Sequence, residues 1–149
     1  MQKNALYILL ADDDEDDRLF FKDAFEEIKI QTNVDFVHDG MQLMDHLNDP
    51  ENELPDILFL DLNMPKKTGK ECLIEIKKTD RLKDIIIAIY STSSSEEDIE
   101  DTFIQGANIY IKKPSDFNTL KKLINEVATV NWHYHTSGLN RDNFLLRLK

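Results

Sequence analysis

The sequence predicts an α/β domain in which five strands alternate with five helices around a parallel sheet. Three observations predict it. Short, nearly unbroken apolar runs recur along the chain, as they do in strands buried on both faces. The stretches between them place apolar residues at helical spacing. No long linker, internal repeat or low-complexity tract interrupts the alternation.

The first run is Leu6-Tyr7-Ile8-Leu9-Leu10-Ala11, followed by a helix carrying Phe20, Phe21, Ala24, Phe25 and Ile28. Val34-Asp35-Phe36-Val37 alternates in polarity and suits an edge strand. Met41, Leu43, Met44 and Leu47 then predict a short helix before Pro55. Ile57-Leu58-Phe59-Leu60 is the third strand, and Cys72, Leu73 and Ile76 mark the helix after it. The run from Ile85 to Tyr90 is the fourth strand. Ile99 and Phe103 make a thinner helical stripe that Gly106 stops. Ile109-Tyr110-Ile111 is a second short edge strand. Leu120, Leu123, Ile124, Val127 and Ala128 form the clearest amphipathic helix. These elements place one domain over residues 1–130, with residues 131–149 as a tail that extends the last helix, covers an edge or is loose.

Composition narrows the function classes. A chain of 149 residues with 41% hydrophobic content can bury a core, which argues against wholesale disorder. No apolar run approaches the ~20 residues of a membrane span, and the start lacks the apolar region of a signal peptide. The single cysteine, Cys72, excludes an internal disulfide framework and suits a cytoplasmic location and a core position. The formal net charge of −11 repels nucleic-acid phosphates and anionic membranes, so a cation or a basic protein surface is the expected partner.

In an open α/β sheet, ligands bind beyond the carboxyl ends of the strands. The first strand ends in Asp12-Asp13-Asp14, the third in Asp61 and the fourth in Ser91-Thr92, while Lys112-Lys113-Pro114 follows the fifth. Carboxylates brought together there repel, and Mg²⁺, a hard cation that takes oxygen ligands, would relieve them. A carboxylate can also act as a nucleophile and form an acyl phosphate. A lysine ammonium and a serine hydroxyl would then bind phosphoryl oxygens, which supplies the positioning and charge neutralisation that phosphoryl transfer requires.

From Leu6 to Val130 the chain resembles the receiver domains of two-component response regulators. The resemblance is carried by the acidic pair after the first strand and by Asp61-Leu62-Asn63-Met64-Pro65 with Gly69 following. Ser91, Gly106-Ala107, Tyr110 and Lys113-Pro114 complete it. Within that family it is similar to short single-domain regulators, including those serving bacterial phytochrome kinases. The resemblance implies a flavodoxin-like, doubly wound (βα)₅ fold with parallel strand order 2-1-3-4-5. It implies that Asp61 accepts a phosphoryl group from a sensor histidine kinase or a histidine phosphotransfer protein. Asp13 would ligate Mg²⁺ directly, Asp12 through water, and Asp61 and the Asn63 backbone carbonyl would complete the protein ligands. Lys113 would bind phosphoryl oxygen, with a cis peptide bond to Pro114. Ser91 and Tyr110 would act as the switch pair, changing the face around the fourth helix, fifth strand and fifth helix. The metal pair is read as Asp12 and Asp13 because Ala11 then closes the strand; Asp13 and Asp14 are the other pairing. Thr92 stands where many relatives carry Ala or Gly, and its bulk is expected to slow acyl-phosphate hydrolysis.

Plainer readings apply to several residues. Asp14, Glu15, Asp16 and Asp17 suit the N-terminus of the first helix, where carboxylates meet free N–H groups and the helix dipole. Ser93, Ser94 and Ser95 read as a loop and helix cap, and Lys112 as solvated. Asp12, Asp14 and Asp16 have the odd spacing of a calcium EF-hand, but Asp17 stands where that loop needs glycine. His133 and His135 alone do not make a metal site. With about 19 residues after the domain, the expectation is a stand-alone phosphoacceptor that acts by protein contact or phosphorelay rather than as an enzyme with turnover. Two alternatives are a phosphorylation-independent pseudo-receiver and a small metal-dependent phosphatase; the latter needs an Asp-x-Asp motif followed by Thr or Val, and Asp12-x-Asp14 is followed by Glu15 and Asp16. Acidic Glu96, Glu97, Glu100 and Asp101 facing Lys121 and Lys122 would suit a homodimer through the fourth and fifth helices.

Overall fold

The computed structural model describes residues 5–129 and 144–145. Ten elements alternate in chain order. They are β1 (Leu6–Ala11), α1 (Glu15–Glu27), β2 (Thr32–Val37), α2 (Gly40–Asn48) and β3 (Ile57–Leu60). They continue as α3 (Gly69–Lys78), β4 (Ile86–Ser91), α4 (Glu96–Ile104), β5 (Ile109–Lys112) and α5 (Phe117–Thr129). All strand pairs are parallel, and the sheet order is β2-β1-β3-β4-β5. The doubly wound (βα)₅ fold expected from the sequence is therefore the fold observed.

The apolar runs are continuous because each face of the sheet meets its own helices. Leu9, Leu58, Leu60, Ile87 and Ile89 point to one side, where they join Leu43 and Leu47 of α2, Leu73 and Ile76 of α3 and Ile99 of α4. Ile8, Leu10, Phe59, Ala88 and Tyr90 point to the other, against Phe21 and Phe25 of α1 and Leu120, Ile124 and Val127 of α5. Burying a side chain of this size contributes about 1.5–3 kcal/mol, so these two layers are the main source of stability. Met41, counted in the helical stripe from its sequence spacing, instead faces outward from α2 and is 49% exposed. Only three of the four apolar positions fit the buried arc of so short a helix: Leu43, Met44 and Leu47.

Local chemistry fixes the helix starts. Asp14 caps α1, its Oδ1 accepting from the Asp16 and Asp17 N–H groups. Thr68 and Glu71 form a reciprocal capping box at α3. Ser95 caps α4. Cys72 is a buried free thiol, as its core reading implies.

Much of the 131–149 tail, including His133 and His135, lies outside the described residues. Of the two tail residues described, Phe144 is fully buried. Its ring meets Phe103 of α4 edge-on at 5.3 Å and Tyr110 of β5 at 6.2 Å. Leu145 forms a parallel bridge with Tyr110, so these residues cover the outer edge of β5.

Candidate functional site

The carboxyl ends of β1 and β3 lie side by side, since Ala11 pairs with Leu60. The chain beyond each strand stays in register: Asp61 N–H donates to the Ala11 carbonyl at 3.0 Å, and Asp12 N–H to the Val37 carbonyl at 3.1 Å. This backbone pairing delivers Asp12 and Asp61 to one rim, both buried, with Asp13 exposed beside them. One carboxylate oxygen from each of the three lies within 4.8 Å of the others. Lys113 enters from the end of β5, held by its N–H donating to the Ser91 carbonyl at 2.8 Å.

The Lys113 ammonium is nearly enclosed. Its Nζ donates to Asp17 Oδ2 at 2.7 Å and to Asp61 Oδ2 at 3.4 Å. It also forms an ion pair with Asp12 Oδ2 at 2.8 Å. The Tyr90 ring lies beneath it, 5.3 Å from Nζ to centroid. Asp12 Oδ1 accepts from the Asp14 N–H, and Arg18 Nη1 donates to the Asp12 carbonyl at 2.8 Å.

Burial dominates the electrostatics. It pushes the Asp61 carboxyl up to about 6, with the neighbouring Asp12 charge adding to the rise and Lys113 opposing it. Burial also raises Asp12, against the lowering effect of Lys113 and the Asp14 N–H. Burial works to lower Lys113, but Asp12, Asp17 and Asp61 outweigh it and hold the ammonium above its ordinary value. A pocket with more carboxylates than cations and only oxygen donors fits a hard divalent cation such as Mg²⁺. Asp12, Asp13 and Asp61 are the side chains placed to hold one.

The other residues singled out from the sequence fall around this rim. Asn63 follows Asp61 in the β3–α3 loop, and its N–H donates weakly to Asp61 Oδ1 at 3.4 Å. Gly69 lets that loop close: its N–H donates to the Leu62 carbonyl at 2.9 Å, and a Cβ there would overlap the Asp61 carbonyl oxygen. Ser91 is buried at the end of β4, and its Oγ accepts from the Ser93 N–H at 3.1 Å. Tyr110 is also buried, and its hydroxyl donates to the Ser93 carbonyl at 2.8 Å. One loop residue thus ties both switch candidates together. Thr92 is exposed between them.

One expectation changes. The Lys113–Pro114 peptide is trans, since no cis bond occurs among the described residues; trans is the lower-energy isomer of such bonds by about 0.5–1 kcal/mol. Asp14 caps α1, and the carboxylates brought together are Asp12, Asp13 and Asp61. Asp17 lies in the first turn of α1, as read from the sequence, and also binds Lys113. Of the charges considered for a two-fold interface, Asp101 is engaged by Lys70 at 3.0 Å and Lys121 by Glu27 at 3.2 Å, both within the chain.

Five parallel strands with an acidic, lysine-gated rim define a receiver-type signalling domain, and the comparisons with known proteins agree. The family model of the response regulator receiver domain matches residues 8–125, and the chain belongs to that family. It is 32% identical over 128 residues to the probable methanogenesis regulatory protein FilR2 of Methanothrix harundinacea, covering 84% of this chain and 83% of that one. It is 31% identical over 126 residues to response regulator Rcp1 of Synechocystis, covering 82% and 86%. The Mn²⁺-bound structure of Rcp1 superimposes with a TM-score of 0.76 at 28% identity, over 83% of this chain and 92% of that one. The phosphorylated cyanobacterial phytochrome response regulator RcpA gives 0.77 at 30% identity, over 91% and 97%. Among the described residues no helix is long and apolar enough to cross a membrane.

Proposed function

We propose that this chain is a phosphoacceptor switch in which Asp61 takes a phosphoryl group from a histidine kinase or histidine phosphotransfer protein. The observation that carries the reading is the Asp61 carboxylate, buried at the strand end with Lys113 at 3.4 Å and two further carboxylates beside it. One Asp61 oxygen attacks phosphorus, the bond from phosphorus to the donor imidazole nitrogen breaks, and the electron pair leaves with the imidazole. Lys113 neutralises charge on the phosphoryl oxygens. Asp12, Asp13 and Asp61, with the Asn63 carbonyl, would hold Mg²⁺, which when bound supplies positive charge that offsets the phosphoryl oxygens. The Mn²⁺-bound structure of Rcp1 and the phosphorylated structure of RcpA support this assignment.

The output follows from what the new group attracts. Ser91 Oγ, now accepting from Ser93, gains a phosphoryl oxygen to donate to. Tyr110 shares Ser93 as its partner and packs on Phe144, so movement at Ser91 reaches the face formed by α4, β5 and α5. That face is the surface for a protein partner or a further phosphorelay step. Turnover of a small phosphate ester is not expected, because the Asp14 that a phosphatase motif would need is bound to backbone N–H groups.

The test is intact mass after incubation with acetyl phosphate and Mg²⁺, for wild type and Asp61→Ala. One phosphoryl adduct is expected on wild type alone, and chelator abolishes it. An equal adduct on Asp61→Ala, or none on wild type together with no binding of beryllofluoride, overturns the reading.

A further inference from the structure

Asp17 is the carboxylate with the shortest contact to Lys113, 2.7 Å against 2.8 Å for Asp12 and 3.4 Å for Asp61. Its contact is a hydrogen bond, shorter than the one to Asp61. Nothing else in α1 needs this side chain: the free N–H groups of Asp16 and Asp17 are already satisfied by Asp14. Arg18, the next residue, donates to the Asp12 carbonyl and pins the first turn of α1 against the site. The Asp17 carboxylate is therefore delivered from α1 at a fixed place, 35% exposed where Asp12 and Asp61 are buried.

We propose that Asp17 is a positioning residue that holds the Lys113 ammonium back from Asp61. A lysine head has three donors on a flexible stem and no preferred direction of its own. With only Asp12 and Asp61 to bind, it would settle between them, cover the acceptor oxygen and compete with an incoming cation. Asp17 draws it outward. The Asp61 contact is left at a long 3.4 Å, and the carboxylate stays open to a phosphoryl donor while the ammonium remains poised beside it. When the acyl phosphate forms, the new oxygens lie nearer Lys113 than the old carboxylate oxygen did, and the ammonium reaches them without leaving its anchor.

The inference rests on Asp61 being the phosphoacceptor, and the experiment separates the two claims. The first readout needs no phosphorylation: the ¹⁵N-ammonium resonance of Lys113 in metal-free protein. A hydrogen-bonded, enclosed ammonium exchanges slowly with water and is observable in wild type. It is expected to shift or vanish in Asp17→Ala and Asp17→Asn. The second readout is the rate of adduct formation with acetyl phosphate and Mg²⁺. Both variants are expected to react roughly tenfold more slowly, equivalent to ~1.4 kcal/mol of lost positioning. Asp17→Glu, which keeps the charged acceptor, recovers part of the rate. Asp16→Asn is the control, because it removes the same charge from the same helical turn without a contact to Lys113. It is expected to stay within about twofold of wild type. Asp17→Asn with an unchanged Lys113 resonance, or with a rate no slower than Asp16→Asn, overturns the proposal. The wild-type adduct at Asp61 decides the underlying reading independently.

Discussion

Replacing Asp61 by asparagine should make the metal-free protein more stable while abolishing its chemistry. Folding places the Asp61 carboxyl where it titrates at about 6, against an ordinary value of 3.8. Each unit of that difference is worth about 1.4 kcal/mol, so keeping the group ionised well above pH 6 costs the native state roughly 3 kcal/mol. Asparagine fits the same volume, keeps an oxygen for the Asn63 N–H and for Lys113, and carries no charge to desolvate. Lys113 still has Asp12 and Asp17. The expected gain at neutral pH is therefore about 1–3 kcal/mol, or a rise in Tm on the order of 2–4 °C per kcal/mol.

The sign of the pH dependence follows from linkage. A carboxyl whose folded value is raised binds more protons in the native state. Its effect on stability is absent below the unfolded value near 3.8 and becomes a full penalty as pH rises past about 6. The gap between Asp61→Asn and wild type should thus be largest near neutrality, about half as large near pH 5, and gone below about pH 4. Mg²⁺ should narrow it from the other side, since the ion binds native wild type more tightly than the variant. Urea denaturation of both proteins in chelator across this range, then with Mg²⁺, measures all three effects. A variant no more stable than wild type in chelator at neutral pH would refute the reasoning, as would a gap independent of pH.

Two further substitutions probe how the fold supports the site. Gly69→Ala puts a Cβ over the Asp61 carbonyl oxygen and 2.7 Å from Leu62 Cα, where only backbone could yield. It should cost ~3 kcal/mol in urea denaturation and slow adduct formation as well, and an unchanged midpoint would show that the loop relaxes freely. Phe144→Ala removes a fully buried ring from between Phe103 and Tyr110 and should cost ~3 kcal/mol by the same measurement. An unaltered midpoint would show that this tail residue adds nothing to the fold.

Much of the site was legible because strand ends are legible. A run such as Ile57–Leu60 must stop where the sheet stops, and the next polar residue is then on the rim. That logic alone would have picked Lys112, the first polar residue after Ile111, which instead ends β5 exposed to solvent; the Lys113-Pro114 motif pointed to Lys113. Asp17 escaped it because two physical demands predict the same residue type. A carboxylate in the first turn of a helix needs no further reason, and its true partner lies 96 residues away in the chain. Phe144 escaped for the opposite cause, standing in a stretch with no periodicity to place it. The signal that existed in each case was an excess: one more acid than the cap of α1 requires, and an aromatic residue beyond the last helix with no stripe of its own.

That excess bears on how the site works. Asp12, Asp17 and Asp61 contact one ammonium and Asp13 lies beside Asp12 and Asp61, so the rim gathers more carboxylates than the Lys113 charge balances, with Arg18 bound to the Asp12 carbonyl. Such a rim is least stable when empty, and a divalent cation relieves it by binding between the carboxylates. The carboxylates gathered at this rim thus favour a bound cation. Adding an acid elsewhere on the surface would not have this effect, because exposed charges are screened within about 8–10 Å. It is the burial of Asp12 and Asp61 beneath the exposed Asp13 that turns a common acidic surface into a site with a defined demand.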